Sequence, residues 1–141
     1  MKLTIASGPV EHLETGTLVV PFFKDMENST TTFKTLDKFF GDSLSHAVHD
    51  DDGFHENGRT FTTLSLGKVY AQRVVLASLG DPKEVTVEKI RQFAAKFTSG
   101  LAGYRENSYT ILSPCYALHK LSPEDVYYAL AEGAVLASYK F

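Results

Sequence analysis

Residues 17–23, TLVVPFF, decide the fold. The run is continuously apolar, where a half-exposed strand would alternate, so it reads as a strand covered on both faces. Pro21 has no N–H to give a ladder and marks the end of the strand as an edge or an exit. Residues 73–80, RVVLASLG, have the same character and read as a second buried strand. Strands buried on both faces need helices above and below, and the neighbouring segments supply them. Phe33, Leu36, Phe40, Leu44 and Ala47 step at three and four, so residues 33–49 read as a helix. Gly41 within it costs ~1 kcal/mol relative to alanine and predicts a break. Val87, Ile90, Ala94, Phe97 and Leu101 mark another helix, with Glu88, Lys89, Arg91, Gln92 and Lys96 assigned to its wet side.

The shorter elements follow the same rules. Lys2 to Ser7 alternates as a short strand, and so does RTFTTLSLG at 59–67. SYTILS at 108–113 is a further strand, DPKE at 81–84 a turn, and KDMENSTTT (24–32) and DDDGFHENG (50–58) are polar loops. The last helix is well marked at its start. Ser122 is placed to cap it, Pro123 suits its first position, and Glu124 and Asp125 complement the positive end of its dipole. Val126, Leu130, Ala134, Ala137 and Phe141 recur along it at helical spacing. No glycine, asparagine or proline punctuates its far end. Strands alternating with helices predict an α/β fold, with helices covering a mixed sheet on both faces. The opening strands predict some antiparallel pairing.

A chain of 141 residues is the size of one domain, and 43% hydrophobic with 22% charged residues is ordinary for a globular one. A net charge of −3 argues against nucleic acid as the main partner, because phosphate binding wants a basic surface. No stretch approaches the ~20 apolar residues of a membrane span, and the short apolar run at residues 3–6 is not a signal peptide. Cys115 is the only cysteine, which excludes an intrachain disulfide and points to the cytoplasm. The sequon Asn28-Ser29-Thr30 carries no meaning without secretion.

Few constellations suggest chemistry. His46 and His49 share a helix face and are followed by Asp50, Asp51, Asp52, His55 and Glu56, all ligand types for zinc. A small metal-dependent hydrolase could be built on such a cluster. The spacing matches no standard metal motif, however, and the plainer reading is a helix end running into a solvated acidic loop. Cys115 and His119 could act as nucleophile and base, but nothing orients the histidine. Gly80 could cradle an anion or simply make a tight turn. Asp25, Glu27, Asp37 and Asp42 are scattered carboxylates. Lys83, Lys89, Arg91 and Lys96 are interleaved with Glu84 and Glu88, as on a solvated helix face. Gly-rich phosphate loops and the usual hydrolase motifs are absent.

One resemblance covers nearly the whole chain. The ending EGAVLASYKF is similar to the E-G-x-x-L-x-x-Y-x-F segment that joins the two domains of leucyl aminopeptidases, with Glu132, Gly133, Leu136, Tyr139 and Phe141 matching. LDKFFGDSL resembles L-D-x-x-x-G-G-x-L through Leu36, Asp37, Gly41 and Leu44, with Asp42 in place of the second glycine. RVVLASLGD resembles R-V-x-L-x-G-L-G through Arg73, Val74, Leu76, Leu79 and Gly80, with Ser78 in place of a glycine. TLVVPFF and VTVEKIRQFAAKF also fall in the family's order, while DDDGFHENGRT matches only loosely.

The resemblance implies a macro-domain-like, three-layer α/β/α sandwich over residues 1–121. Residues 122–141 would form a terminal helix leading to a catalytic domain that is absent here. It implies a parent enzyme that is a cytoplasmic hexamer removing N-terminal residues from peptides. The two divalent metals, zinc or manganese, would sit in that other domain, so no residue of this chain is assigned a catalytic, cofactor-binding or metal-binding role. Some bacterial members use this domain in DNA binding. A free-standing macro-like module binding ADP-ribose or a related nucleotide is the alternative.

Overall fold

The computed structural model describes residues 9–24, 31–50, 59–100 and 108–138. Four strands, β1 (Thr17–Phe22), β2 (Thr60–Leu64), β3 (Arg73–Ser78) and β4 (Tyr109–Ile111), form one mixed sheet in the order β2-β3-β1-β4. Helices α1 (Thr31–Phe39), α2 (Ser43–Asp50), α3 (Val87–Gly100) and α4 (Pro123–Ser138) complete a three-layer α/β/α architecture. The predicted strand at Lys2–Ser7 and the loops at 25–30 and 51–58 lie outside the described residues.

The continuous apolar strands divide their side chains between two cores. β1 and β3 run parallel in register, Leu18 beside Val74 and Val20 beside Leu76. Side chains alternate across a strand. Leu18, Val20, Phe22, Val74 and Leu76 therefore point to α1 and α2, where Phe33, Leu36, Phe40, Leu44 and Val48 complete the first core. Val19, Val75, Ala77 and Leu79 point the other way, to Ile90 and Phe93 of α3 and Val126 and Ala129 of α4. All six β1 residues are buried, as expected for a strand with helices on both sides.

Pro21 is accommodated by the unequal lengths of its neighbours. Thr17 N–H donates to Ser108, and Leu112 N–H donates to Val19, so odd-numbered β1 residues face β4. β4 pairs only as far as Val19 with Ile111, so Pro21 lies past the last rung. The exit predicted at Pro21 is thus real on that side, although β1 is central. The antiparallel pair among the described residues is β2 with β3, whereas β1 is parallel to both neighbours.

The break at Gly41 is present. Gly41 and Asp42 both take left-handed backbone, φ 60° and 65°, and separate α1 from α2. The break resets the helical phase, so Val48 is buried where Ala47 was expected, and Ala47 is only half-buried. α2 starts with its amides satisfied. Ser43 N–H donates to the Phe40 carbonyl, Leu44 and Ser45 N–H both donate to Asp37 Oδ1 at 3.1 Å, and His46 N–H donates to the Asp42 carbonyl. The side chain that caps α2 therefore comes from α1. Asp42 is exposed and bears left-handed strain that glycine would not. Replacing Asp42→Gly should raise stability by ~0.5–1 kcal/mol, read as a higher midpoint in urea unfolding; an unchanged or lower midpoint would contradict this account of the strain.

Candidate functional site

Among the described residues, the candidate side chains named above do not come together. His46 and His49 are exposed on α2, and Asp51, Asp52, His55 and Glu56 lie outside the described residues. Among the described residues, no three His, Cys, Asp or Glu side chains are grouped to hold a metal ion. Cys115 is half-buried in a short 3₁₀ turn with Ala117, and His119 is exposed beyond it. The Cys115 N–H donates to Ser113 Oγ, and no hydrogen bond joins its thiol to His119 among the described residues. Asp37 is committed to the α2 cap. Asp25 and Glu27 lie outside the described residues.

Open α/β sheets commonly bind ligands at the carboxyl ends of their strands. Here those groups are spent on one another. Leu79 N–H donates to the Phe22 carbonyl at 2.8 Å, Lys24 N–H donates to the Gly80 carbonyl at 2.9 Å, and Gly80 N–H donates to Ser78 Oγ at 3.2 Å. Gly80 therefore makes a tight turn rather than an anion cradle, and Asp81 caps the following 3₁₀ turn through Lys83 N–H at 2.9 Å. Ser78, where the family pattern has glycine, supplies the hydroxyl that occupies the Gly80 amide.

A groove lies between β3, the edge strand β2 and α3. Ala77, Phe93 and Phe97 form its floor, and Thr60, Ser78, Lys89, Gln92 and Lys96 surround them. Its volume, about 160 Å³, is below the ~300 Å³ at which small-molecule pockets begin.

The most built feature is the seam between α3 and α4. Arg91 was placed on the wet side of α3 by periodicity, but the structure corrects this. Its guanidinium reaches across to Glu132 of α4 and also pairs with Glu88 one turn back. The Glu132 hydrogen bond, followed by its charge and that of Glu88, holds the Arg91 pKa above its ordinary value. The next residue, Gly133, lies against the Arg91 backbone. A Cβ at position 133 would overlap the Arg91 carbonyl oxygen and lie 2.9 Å from its carbon. The glycine thus sets the closeness of the two helices, and the ion pair beside it sets their register. The Glu88–Arg91 spacing of three could have revealed one arm of this network. The Glu132 arm spans 41 residues and has no local signal.

The rest of the seam supports this pair. Ser122 Oγ accepts from Asp125 N–H at 3.1 Å, so α4 begins as its sequence predicts. Tyr109 of β4 hydrogen-bonds Thr98 of α3. Burial pushes the Tyr109 phenol above its usual pKa, and the Thr98 contact offsets part of the shift. Val126, Ala129 and Ala134 are buried, and Leu130 and Ala137 are half-buried. Tyr139 and Phe141 lie outside the described residues.

Comparison with known proteins agrees with this picture. A family model described as the cytosol aminopeptidase family, N-terminal domain, matches residues 19–141. A probable cytosol aminopeptidase of Geobacter sp. (strain M21) is 30% identical over 142 residues, covering 100% of this chain and 28% of the relative. A probable cytosol aminopeptidase of Alkaliphilus metalliredigens (strain QYMF) is 23% identical over 141 residues, with the same coverage. The chain thus spans little more than a quarter of the length of the curated relatives it matches. α1 to α4, strands β2 to β4, most of β1 and the residues of the α3–α4 seam fall inside the matched segment, and the chain belongs to the cytosol aminopeptidase family, whose N-terminal domain it represents.

Proposed function

We propose that this chain is the non-catalytic N-terminal domain of a cytosol aminopeptidase, working in the cytoplasm as a scaffold for a separate catalytic domain. That domain would carry two divalent metals and remove N-terminal residues from peptides, within a homo-oligomer. The observation that carries this reading is the full coverage of the chain against 28% of each relative. The relatives are named as aminopeptidases, and the matched region is the N-terminal domain of their family. Among the described residues, Asp37, Ser78, Asp81, Arg91 and Ser122 serve caps, turns and one helix seam, which suits a supporting domain. No helix among the described residues is long and apolar enough to cross a membrane. No observation here favours a free-standing nucleotide-binding module, since the Gly80 amide already has a partner.

The test is the mass of the native polypeptide in its own cells, by immunoblot and intact mass spectrometry, together with hydrolysis of leucine p-nitroanilide in the presence of manganese. A polypeptide several times heavier than 15.6 kDa that turns over the substrate is expected, with no turnover by the 141-residue chain alone. Turnover by the short chain would overturn the non-catalytic assignment.

A further inference from the structure

We propose that the outer edge of β2, with the groove beside it, is a docking site for an extended acidic peptide segment of a partner protein. Among the described residues β2 pairs with β3 alone. The hydrogen bonds at the two ends of that pair fix which groups face inward. Ser78 N–H donates to the Arg59 carbonyl, and Ser65 N–H donates to the Gln72 carbonyl. In an antiparallel pair, residues bonded to the neighbour alternate with residues whose N–H and C=O point away. Residues 59, 61, 63 and 65 therefore bond inward, and Thr60 and Thr62 turn their amides and carbonyls outward. Neither backbone has a hydrogen-bond partner among the described residues. The Leu64 carbonyl accepts from Thr63 Oγ1 at 3.2 Å, which closes the open stretch at that end. Open sheet edges are usually blunted by charge or proline. Residues 60–64, TFTTL, carry neither.

The groove lies where an added strand would place its side chains. Thr60 stands opposite Ala77, whose side chain faces α3. A strand paired outside β2 thus sends alternate side chains over the groove between β2 and α3. The floor of Ala77, Phe93 and Phe97 is apolar, and about 160 Å³ is room for one branched side chain rather than for a whole small molecule. Lys89 and Lys96 stand two turns apart on α3 at its rim, and no acidic residue lines it. Lys89 is half-buried, and its ammonium makes no ion pair among the described residues. Glu88, the adjacent acid in sequence, is paired with Arg91.

Charge decides the occupant. Two lysines with no facing acid favour carboxylates, and the apolar floor between them favours an aliphatic side chain. In an extended peptide, residues two places apart share a face and lie ~7 Å apart. A sequence acid-x-valine-x-acid sets the valine over Phe93 and Phe97 and its two acids ~13 Å apart, against ~10 Å between the lysine positions along the helix. Flexible lysine stems cover the difference. Backbone pairing at Thr60 and Thr62 would supply affinity, and the groove and its lysines the specificity. The chain's own alternating segment, Lys2 to Ser7, carries a lysine and no acid, so it lacks the matching charge.

The experiment titrates the native polypeptide with acetyl-Thr-Glu-Thr-Val-Thr-Glu-Thr-amide by calorimetry. The control peptide has lysine in place of each glutamate. Saturable binding of the acidic peptide is expected, with the lysine peptide about tenfold weaker or worse. Thr62→Pro removes an outward N–H and leaves the β2–β3 bonds intact, so it should weaken binding about tenfold with an unchanged circular dichroism spectrum. Lys89→Gln leaves the backbone untouched and should weaken the acidic peptide about fivefold. Equal affinity for the two peptides, full affinity in either variant, or no saturable binding of the acidic peptide at millimolar concentration would overturn the proposal. Hydrogen exchange read by mass spectrometry tests the edge itself. The amides of residues 60 and 62 should exchange fast in the polypeptide alone and about tenfold slower with the acidic peptide bound. Slow exchange before any peptide is added would mean an edge already covered, by the chain itself or, where protection grows with concentration, by a second copy, and would also overturn the proposal.

Discussion

Replacing Gly133→Ala is expected to lower the stability of this chain by ~3 kcal/mol, about a 10 °C drop in Tm for a domain of this size. The sign is what makes the result informative. In a helix free of tertiary contacts, glycine to alanine stabilises by ~1 kcal/mol, because alanine restricts the unfolded backbone and favours the helix. At position 133 the added methyl meets the Arg91 backbone, not the end of a flexible side chain. A backbone carbonyl inside α3 cannot swing aside, so the helices must separate and the core below them loosens. Ile90, Ala94, Val126 and Ala129 all pack in or beside that seam. Thermal unfolding by circular dichroism gives the answer directly. A variant as stable as the parent, or more stable, would mean that α3 and α4 are not in close contact.

Asp37→Ala should cost ~2–3 kcal/mol. Its Oδ1 accepts from two amides at the start of α2, and the Leu44 bond is buried. Loss of a helix cap typically costs ~1 kcal/mol, and an orphaned buried donor adds ~1–3 kcal/mol. Asp37→Asn keeps an acceptor oxygen in the same place and should retain most of the stability. The pair of variants separates capping from charge, since both remove the charge and only alanine removes the acceptor. Urea unfolding with equal losses for the two would put the role of Asp37 in its charge and refute the cap.

These two residues also mark the boundary of what can be read locally. Asp37 lies on the apolar face of α1, four residues after Phe33 and three before Phe40, where a buried carboxylate is out of pattern, and nothing within one helical turn shows that it caps the next helix. Its burial depends on the two left-handed residues that fold α2 back, Gly41 and Asp42. The glycine at position 41 predicted the break but not the partner. The histidine and acidic cluster fared differently. Its residues are ligand types for zinc, but a metal site needs side chains to converge in three dimensions, and Asp51, Asp52, His55 and Glu56 lie outside the described residues. His46 and His49 end exposed on a helix, with no third ligand grouped beside them among the described residues.

By itself, the sequence determined the class of fold and its layering. Continuous apolar strands and three-to-four-spaced helices are local patterns, and burial follows from them with little freedom. The same holds for the start of α4, because a cap acts within one turn. Only the tertiary structure decided what the individual polar and small residues do. Arg91 looked solvated until α4 was laid across it, Gly133 was one match to a family pattern until the Arg91 carbonyl came against it, and Gly80 could have held an anion until Ser78 took its amide. The first two roles depend on partners about 40 residues away, and the third on a side-chain rotamer. One-dimensional patterns record which residues prefer burial, whereas partnership depends on how separate elements meet.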